Sequence, residues 1–376
     1  MINNYIAFIN ASDSWGGLEM NVVRLAYWLK KAGYNTIILC KENTPIEQEA
    51  KNKNIEIEYI KKHRKYYDIK QAFNLYKIIK RKNIKYIFAF DNKELSLCAL
   101  AKLFSKNKLK FIFQQNMLIA GKKKDIFHHI RYKFIDTWIA PLNILKKQVL
   151  EKTTIPESKI KVIPLCVDYS NILTSKISKA EACKKLNINA DAAIIGIVGR
   201  IDKLKGQHFL IEAVQKLRQN SFNIELLIAG EPTREPEGKK YHKYILELVK
   251  KYNLEQYIHF TPYTSTIGEI YSAIDIFTLA SKNETFGMVT IEAMGMAKTI
   301  IATNAGGTPE LLNYGEYGLL YQPENLDDYL NKIKILLNNK DLQEDLSTKA
   351  QKAALEKYDY KFEVKEIEKI LIELNK

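Results

Sequence analysis

Two glutamates, Glu284 and Glu292, lie in the stretch SKNETFGMVTIEAMGMAK (281–298) with a Phe-Gly pair between them. A helix is predicted to open at about Val289, which would place Glu292 near its start. Helix N-termini present unpaired N–H groups that hold phosphate oxygens or sugar hydroxyls, and Gly287 would let this backbone approach a ligand closely. Taken alone, however, the spacing fits better with an ordinary acidic first turn stabilised by the helix dipole.

Two cations flank a turn in the stretch GRIDKLKGQHFLIEA (199–213). Arg200 stands at the tip of an apolar strand predicted over 192–200, and Lys205 precedes a helix that Gly206 opens. A planar guanidinium and a compact ammonium at one turn can neutralise a diphosphate leaving group. A solvated lysine-rich loop is the alternative, and it suits Lys203 better than Arg200.

The elements that position these residues alternate along the chain. Strands are predicted at 5–10, 35–40, 85–90 and 109–115, with helical patterns between them, and a Gly16-Gly17 turn follows the first strand. Strand and helix alternate in the same way again after about residue 190. This pattern predicts two α/β units with parallel, doubly wound sheets, which bind ligands at the carboxyl ends of their strands. A lone Gly-Gly is by itself weak evidence for a phosphate-binding loop.

Together, the three motifs resemble the family 4 glycosyltransferases. In that family a glycine-rich loop is followed by G-R-x(4)-K-G and then by E-x(7)-E; here these motifs are Trp15 to Glu19, Gly199 to Gly206, and Glu284 to Glu292. Supporting segments occur in order at 161–168, 226–232 and 304–312. The resemblance implies a GT-B fold, in which two Rossmann-like domains face each other across a deep cleft. The expected boundaries are 1–168, 169–358 and a last segment, 359–376, whose helix can cross back to the first domain.

The resemblance also implies a role for each motif residue. Arg200 and Lys205 would bind the donor diphosphate, Glu292 the nucleotide ribose, and Glu284 the donor sugar or the reacting centre. Further donor contacts are expected from Gly17, from Gly230 and Tyr263 near the base, and from the amides of Phe286, Gly287, Met288 and Val289. The family usually retains the anomeric configuration without a bound metal. We therefore expect no cofactor and no metal site, with UDP- or GDP-sugar as substrate.

The sequence departs from the family pattern in the first domain. Relatives often carry a histidine near the end of the fourth strand, where this chain has Gln114-Gln115-Asn116. An amide can position a sugar hydroxyl but cannot act as a base. Gln115 and Asn116 are therefore expected on the acceptor side. Ala297 and Thr299 also replace a customary glycine and proline, which leaves a catalytically inactive GT-B subunit as an alternative.

Charge is distributed unevenly along the chain. Residues 1–165 hold 31 Lys and Arg against 14 Asp and Glu, a net charge of +17, whereas the remaining residues carry −2 of the total of +15. A basic domain attracts nucleic acid, an anionic membrane or an acidic substrate. No nucleic-acid-binding signature accompanies the lysines, so we expect no nucleic-acid partner. A lysine-rich genome composition would not explain the neutral second half.

Basic residues interleave at 61–86 and 121–134 with aromatic and aliphatic residues that would line the same surface, namely Phe73, Tyr76, Ile79, Phe127 and Tyr132. The basic residues include Lys122, Lys123 and Lys124. Such segments suit an anionic membrane surface, although lysines capping core-facing helices give the same pattern. No run of 18 apolar residues and no signal-peptide pattern is found. We therefore expect a cytoplasmic transferase, peripherally attached to the inner face of the cytoplasmic membrane, that glycosylates a lipid-linked acceptor or a cell-envelope glycan such as lipopolysaccharide, capsule or teichoic-type polymer. A transferase with a soluble small acceptor is the alternative.

Overall fold

The structure is a computed structural model that describes residues 4–233, 235–262, 264 and 266–376. The chain divides into two compact units. Unit 1 comprises Met1–Leu165 together with Tyr360–Lys376, and unit 2 comprises Cys166–Asp359. The divisions lie close to the boundaries expected at 168 and 358.

Unit 1 is built on a parallel sheet of seven strands in the order β3-β2-β1-β4-β5-β6-β7. The strands are β1 Tyr5–Ile9, β2 Thr36–Cys40, β3 Glu56–Tyr59, β4 Ile84–Ala89, β5 Lys110–Gln114, β6 Thr137–Ala140 and β7 Ile160–Val162. Every residue of β2 and β6 is buried. Burial along the whole strand explains the continuous apolar runs in the sequence, because helices cover both faces of a parallel sheet.

The helices of unit 1 connect successive strands, as parallel pairing requires. They are α1 Gly17–Lys31, α2 Pro45–Asn52, α3 Ile69–Arg81, α4 Leu95–Phe104, α5 Ile126–Lys133 and α6 Asn143–Lys152, with a 3-10 turn at Glu157–Lys159. Asp68 and Asp125 cap α3 and α5 by accepting hydrogen bonds from the N–H groups of Gln71 and His128, each at 3.1 Å. These caps fix where the two basic helices begin.

Unit 1 also contains a helix from the far end of the sequence, the last helix, Tyr360–Glu373. The Tyr86 hydroxyl donates to the carbonyl of Leu371 at 3.1 Å, and Gln114 Nε2 donates to Glu363 Oε1 at 3.0 Å. Both hydrogen bonds are buried. They attach the helix to β4 and β5.

Unit 2 has a six-stranded parallel sheet in the order β10-β9-β8-β11-β12-β13. Its strands are β8 Ala193–Val198, β9 Ile224–Ala229, β10 Ile258–Thr261, β11 Ile276–Leu279, β12 Thr299–Thr303 and β13 Leu319–Tyr321. Its helices are α7 Tyr169–Thr174, α8 Lys179–Leu186, α9 Gln207–Gln219, α10 Pro236–Lys251, α11 Ile267–Ala273, α12 Met288–Gly295, α13 Thr308–Leu311, α14 Leu326–Leu337 and α15 Lys340–Lys357, so the last helix of the chain is α16. Short 3-10 turns lie at Lys203–Lys205 and Asn313–Gly315.

The α/β fold class is confirmed in both units, since each sheet contains the doubly wound order in which the first strand lies at the centre. The sequence at 166–190 shows no clear pattern, yet α7 and α8 form there. Both are short and strongly capped, by the side chains of Asp168 and Ser178, so hydrogen bonding at their ends outweighs their weak periodicity.

Two further features concern the chain as a whole. Cys40, Cys98, Cys166 and Cys183 are buried free thiols. In the described residues, no helix combines the length and apolar character needed to cross a membrane.

Candidate active site

The loop after β8 carries the first predicted cation. A Cβ atom added at Gly230, which follows β9 with φ of 147°, would lie 2.0 Å from the carbonyl oxygen of Gly199. The glycine thus lets the loops after β8 and β9 touch. The side chain of Arg200 is 63% exposed, with Nη2 at 3.7 Å from Asp202 Oδ2. Fully buried Gln207 donates from Nε2 to the Arg200 carbonyl at 2.9 Å. The backbone of Arg200 is therefore fixed while its guanidinium reaches toward solvent.

The second predicted cation forms an ion pair with one of the two predicted glutamates. Lys205 Nζ lies 2.7 Å from Glu284 Oε2, and the two side chains are 24% and 19% exposed. Gly206 holds the turn after Lys205 with φ of 79°, and a Cβ there would lie 2.6 Å from the Ala280 carbonyl oxygen. The turn thus packs closely on the end of β11, which brings two residues that are 79 positions apart into contact.

The backbone around Glu284 is held by the loop after β12. The Glu284 carbonyl accepts a hydrogen bond from the N–H of Gly307 at 2.8 Å. A Cβ at Gly306, where φ is 61°, would lie 2.2 Å from that carbonyl oxygen. Gly287 caps α12 with φ of 96°, and Phe286 is buried with its ring 6.2 Å from that of Tyr358. The segment from Phe286 to Val289 is therefore a rigid helix start whose first N–H groups are available to an anion.

Glu292 lies further into α12 than the sequence predicted. The helix begins at Met288, so Glu292 is in its second turn and is not a first-turn acid stabilised by the helix dipole. The Tyr271 hydroxyl donates to Glu292 Oε2 at 3.0 Å and lies 3.1 Å from the Val289 carbonyl oxygen. Burial, followed by the charge of Glu292, raises the pKa of Tyr271 well above its usual value. Tyr271 therefore remains protonated and orients a half-buried carboxylate.

These residues converge because the strands that precede them are parallel neighbours. Arg200 follows β8, Gly230 follows β9 and Glu284 follows β11, and the order β9-β8-β11 places their carboxyl ends side by side. The resulting edge presents an exposed guanidinium, an ammonium paired with a carboxylate, and a helix N-terminus. An incoming diphosphate can take the place of Glu284 beside Lys205 and use Arg200 as a second partner.

The other predicted site residues, Gly17, Gln115 and Asn116, belong to unit 1. Gly17 begins α1, and a Cβ added to it would meet nothing within 4 Å. Gln115 is 2% exposed and uses both ends of its amide: it accepts from Trp138 Nε1 at 3.1 Å and donates to the Met117 carbonyl at 3.0 Å. Asn116 likewise donates to the Gln114 carbonyl and accepts from Asn21. Through these hydrogen bonds, both amides stabilise the loop after β5.

The two basic stretches meet in the structure. The Tyr67 hydroxyl donates to the carbonyl of Phe127 at 3.1 Å, which joins the segment before α3 to α5. The expectation that Ile79 and Tyr132 line this surface is wrong, because both side chains are buried in the core. Phe73 and Phe127 are exposed as expected, and further exposed apolar side chains are presented by Tyr66, Ile69, Ile126 and Ile130. We call these six residues, together with Lys122 and Lys124, the basic apolar surface.

Two family models match nearly the whole chain. The family described as Glycosyltransferase Family 4 matches residues 15–171, and that described as Glycosyl transferases group 1 matches residues 178–353. The chain belongs to glycosyltransferase family 4. This confirms the resemblance inferred from its motifs.

Similar proteins of this family include transferases with different acceptors. A D-inositol 3-phosphate glycosyltransferase of Corynebacterium urealyticum is 30% identical over 43% of this chain and 38% of its own length. The lipopolysaccharide 1,2-N-acetylglucosaminetransferase of Salmonella typhimurium is 28% identical over 59% of this chain and 58% of its own length. The chain thus matches between about two fifths and three fifths of the length of these relatives.

Solved structures support the GT-B fold. Anabaena Alr3699/HepE in complex with UDP has a TM-score of 0.85 to this family 4 chain at 19% identity, and the match covers 98% of this chain and all of that one. At this identity the similarity establishes the fold alone.

Two residues that shape this family 4 site were not predicted from the sequence. Tyr271 positions Glu292 and Gln207 positions Arg200, but a single buried tyrosine or glutamine in a helix has no distinctive sequence signal. Tyr263, predicted near the nucleotide base, lies outside the described residues. In the described part of the chain, no group of three or more His, Cys, Asp and Glu side chains is arranged to hold a metal ion.

Proposed function

We propose that this protein is a retaining glycosyltransferase that moves a sugar from a nucleotide-sugar donor to a lipid-linked acceptor or cell-envelope glycan. The proposal rests on the ion pair between Lys205 and Glu284. This pair lies on the same sheet edge as Arg200, and Glu284 shortly precedes α12. The names of relatives add support, since one acts in lipopolysaccharide synthesis, and HepE binds UDP and, in another structure, UDP-glucose. A UDP- or GDP-sugar is the proposed donor.

The donor diphosphate would lie against Arg200 and Lys205, with the amides from Phe286 to Val289 around the phosphate and sugar. Glu292 would accept hydrogen bonds from the ribose hydroxyls, while Gly230 would allow the base to lie close to the backbone. As the glycosidic bond breaks, negative charge grows on the diphosphate, and the two cations stabilise it. We propose front-face substitution, in which the leaving phosphate takes the proton of the acceptor hydroxyl. Glu284 would face the donor sugar once the diphosphate has displaced it from Lys205.

A donor panel tests the proposed reaction. Because two cations are already placed for the diphosphate, we propose that no divalent metal is required, and donor turnover is expected to persist in EDTA. UDP-, GDP-, ADP- and CMP-sugars are incubated with the protein, and released nucleotide is measured with and without EDTA. Loss of turnover in EDTA and its rescue by Mn²⁺ would contradict metal independence. Nucleotide binding without turnover for any donor and acceptor would favour a catalytically inactive subunit.

Replacing Glu292 by alanine is expected to weaken nucleotide binding at least tenfold, because a charged hydrogen bond contributes about 1.5–3 kcal/mol. Isothermal titration calorimetry measures the change. Glu292→Gln keeps an acceptor for Tyr271 and separates ribose binding from local packing. Glu356→Ala, at an exposed position of α15, is the matched control. Equal affinity of wild type and Glu292→Ala would remove this carboxylate from the donor site.

The acceptor side of the proposal depends on the basic apolar surface. Ile126 and Phe127 are 62% and 59% exposed at the start of α5, directly after the lysines at 122–124. On the neighbouring helix, Ile69 is 64% exposed. Exposed apolar side chains grouped with lysines suit the interface of an anionic bilayer. We therefore propose that unit 1 attaches the protein peripherally to a membrane that holds its acceptor.

Reversing the charge of Lys122, Lys123 and Lys124 to glutamate is expected to reduce co-sedimentation with anionic vesicles strongly, because basic residues near an anionic bilayer contribute about 1 kcal/mol each. Binding of the wild type should weaken at high salt and be absent with neutral vesicles. Lys239, Lys240 and Lys250, exposed on α10 of unit 2, provide a control variant with the same charge change. If the wild type does not co-sediment with anionic vesicles, a soluble acceptor becomes the better proposal.

A further inference from the structure

Arg131, in the last turn of α5, is a buried cation with unused hydrogen-bond donors. The residue is 3% exposed, and its Nε and Nη1 atoms are buried without a hydrogen-bond partner. The described part of the chain offers this guanidinium no carboxylate within salt-bridge distance. A buried charge is costly unless it is paired and hydrogen-bonded, so an arginine in this state points to a missing anion.

Two aromatic rings frame the guanidinium. The Arg131 Cζ atom lies 5.2 Å from the ring centroid of Tyr66 and 5.4 Å from that of Tyr132. Cation–π contacts orient the planar group and compensate part of its lost hydration. They do not use the Nε and Nη1 donors, which lie in the plane of the guanidinium and remain available for a planar or tetrahedral oxyanion.

The lysines before α5 also favour an anion near Arg131, whereas His128 contributes its ring. His128, one turn before Arg131, lies 5.9 Å from the Tyr132 ring and 6.4 Å from the Tyr66 ring, measured between centroids. Burial, followed by the positive charge of Arg131, lowers the pKa of His128. The nearby carboxylate, Asp125, is engaged by His128 Nδ1 at 2.5 Å. Lys122, Lys123 and Lys124 precede the helix and add positive charge around it.

The two rings that frame Arg131 differ in their exposure to solvent. Tyr66 is 42% exposed and belongs to the irregular segment between β3 and α3. Tyr132, the other ring, is 3% exposed and belongs to the core. An anion that binds Arg131 would therefore approach from the side of Tyr66.

We propose that Arg131, framed by Tyr66 and Tyr132 and flanked by His128, binds a phosphoryl group. The planar guanidinium matches phosphate oxygens bidentately. The exposed Ile126, Phe127 and Ile130 lie on the same helix as Arg131, so the phosphate of an amphiphile can bind while its apolar part contacts them. A lipid headgroup and a free phosphomonoester share this chemistry, and the experiment distinguishes them. The inference concerns unit 1 alone and does not depend on the transfer reaction.

The test measures binding of sn-glycerol 3-phosphate by calorimetry and of phosphatidic acid vesicles by co-sedimentation. Wild type is compared with Arg131→Gln, with Arg131→Lys, which keeps the charge but not the fork, and with Lys133→Gln, which removes an exposed charge from the same helix. We expect Arg131→Gln to lose the affinity at least tenfold. Lys133→Gln should bind like the wild type. Phosphate binding by Arg200 and Lys205 in unit 2 should be the same in all four proteins. It therefore does not affect the difference in affinity between them.

An Arg131-dependent effect on vesicles alone assigns a lipid headgroup, and one on both ligands assigns a phosphomonoester in general. Equal binding by Arg131→Gln and the wild type, or no binding of either ligand by the wild type, would overturn the proposal and leave a structural arginine solvated by trapped water. If Arg131→Gln does not fold, the Arg131→Lys comparison decides. Nucleotide binding is measured in parallel: its absence would count against the proposed function and not against this phosphate site.

Discussion

Replacing Lys205 by alanine is expected to lower kcat by about 100-fold or more, with a much smaller effect on KM. The leaving diphosphate gains charge only as the glycosidic bond breaks, so a cation placed beside it contributes more to the transition state than to donor binding. In the structure Lys205 is already held by Glu284 at 2.7 Å. The ammonium is therefore positioned before the donor arrives, which reduces the reorganisation needed during the reaction.

Lys203 provides the matched control for this experiment. It lies in the same 3-10 turn but is exposed, and Lys203→Ala should leave kcat unchanged within about twofold, as expected of a surface substitution. Arg200→Ala should resemble Lys205→Ala, because both cations face the same proposed diphosphate. Steady-state kinetics with the donor identified by the panel measures both constants. An increase in KM with kcat unchanged would show that Lys205 only binds the donor.

The second large effect is expected at Glu94, which caps the start of α4. Its side chain is 1% exposed; Oε1 accepts from the N–H of Ala11 at 3.1 Å, and Oε2 is buried without a partner. Burial, assisted by the negative charge of Asp91, raises the pKa of Glu94 to about 8. His63 Nε2 lies 3.9 Å from Oε1. The carboxyl group is therefore protonated in the folded state at a pH where it is ionised in the unfolded chain.

The sign of the pH dependence follows from this difference. Between pH 5 and 8 the folded state binds one more proton than the unfolded state, so the free energy of unfolding falls as pH rises, by about 1.4 kcal/mol per pH unit. Glu94→Gln keeps the acceptor for Ala11 and removes the ionisation. The variant is expected to gain about 2.7 kcal/mol relative to wild type when the pH is raised from 5.5 to 7.5.

Urea unfolding of both proteins at the two pH values measures this gain, with the transition of unit 1 followed separately, since two units need not unfold together. Glu42→Gln, at an exposed position of the same unit, is the control and should show no gain. A constant difference between Glu94→Gln and wild type at both pH values would mean that Glu94 ionises normally.

The sequence predicted the parts of the site that depend on the ends of strands. Arg200 and Glu284 each follow an apolar strand, and the parallel order of the sheet was sufficient to bring their loops together. The partners of these residues could not be predicted in the same way. The contact of Lys205 with Glu284 and that of Tyr271 with Glu292 depend on loop geometry and helix rotation, which hydrophobic periodicity does not determine.

The basic helices show why side-chain direction was harder to predict. Lysines have long apolar stems and occupy both exposed and half-buried positions, so they obscure the boundary between the two faces of a helix. In α3 and α5 the sequence alone placed Ile79 and Tyr132 on the surface, whereas packing turns them inward and leaves Ile126 and Ile130 exposed. The exposed lining was therefore predicted in composition but not residue by residue.

The attachment of α16 to unit 1 has a consequence for the order in which the protein is made. The partners of the Tyr86–Leu371 and Gln114–Glu363 hydrogen bonds are 285 and 249 residues apart in sequence. The ribosome must synthesise all of unit 2 before unit 1 can acquire its last helix. During this interval β4 and β5 lack part of their cover, while unit 2, which is continuous from Cys166 to Asp359, can already complete its core. Unit 2 is therefore expected to reach its native state first during translation, although it is encoded second.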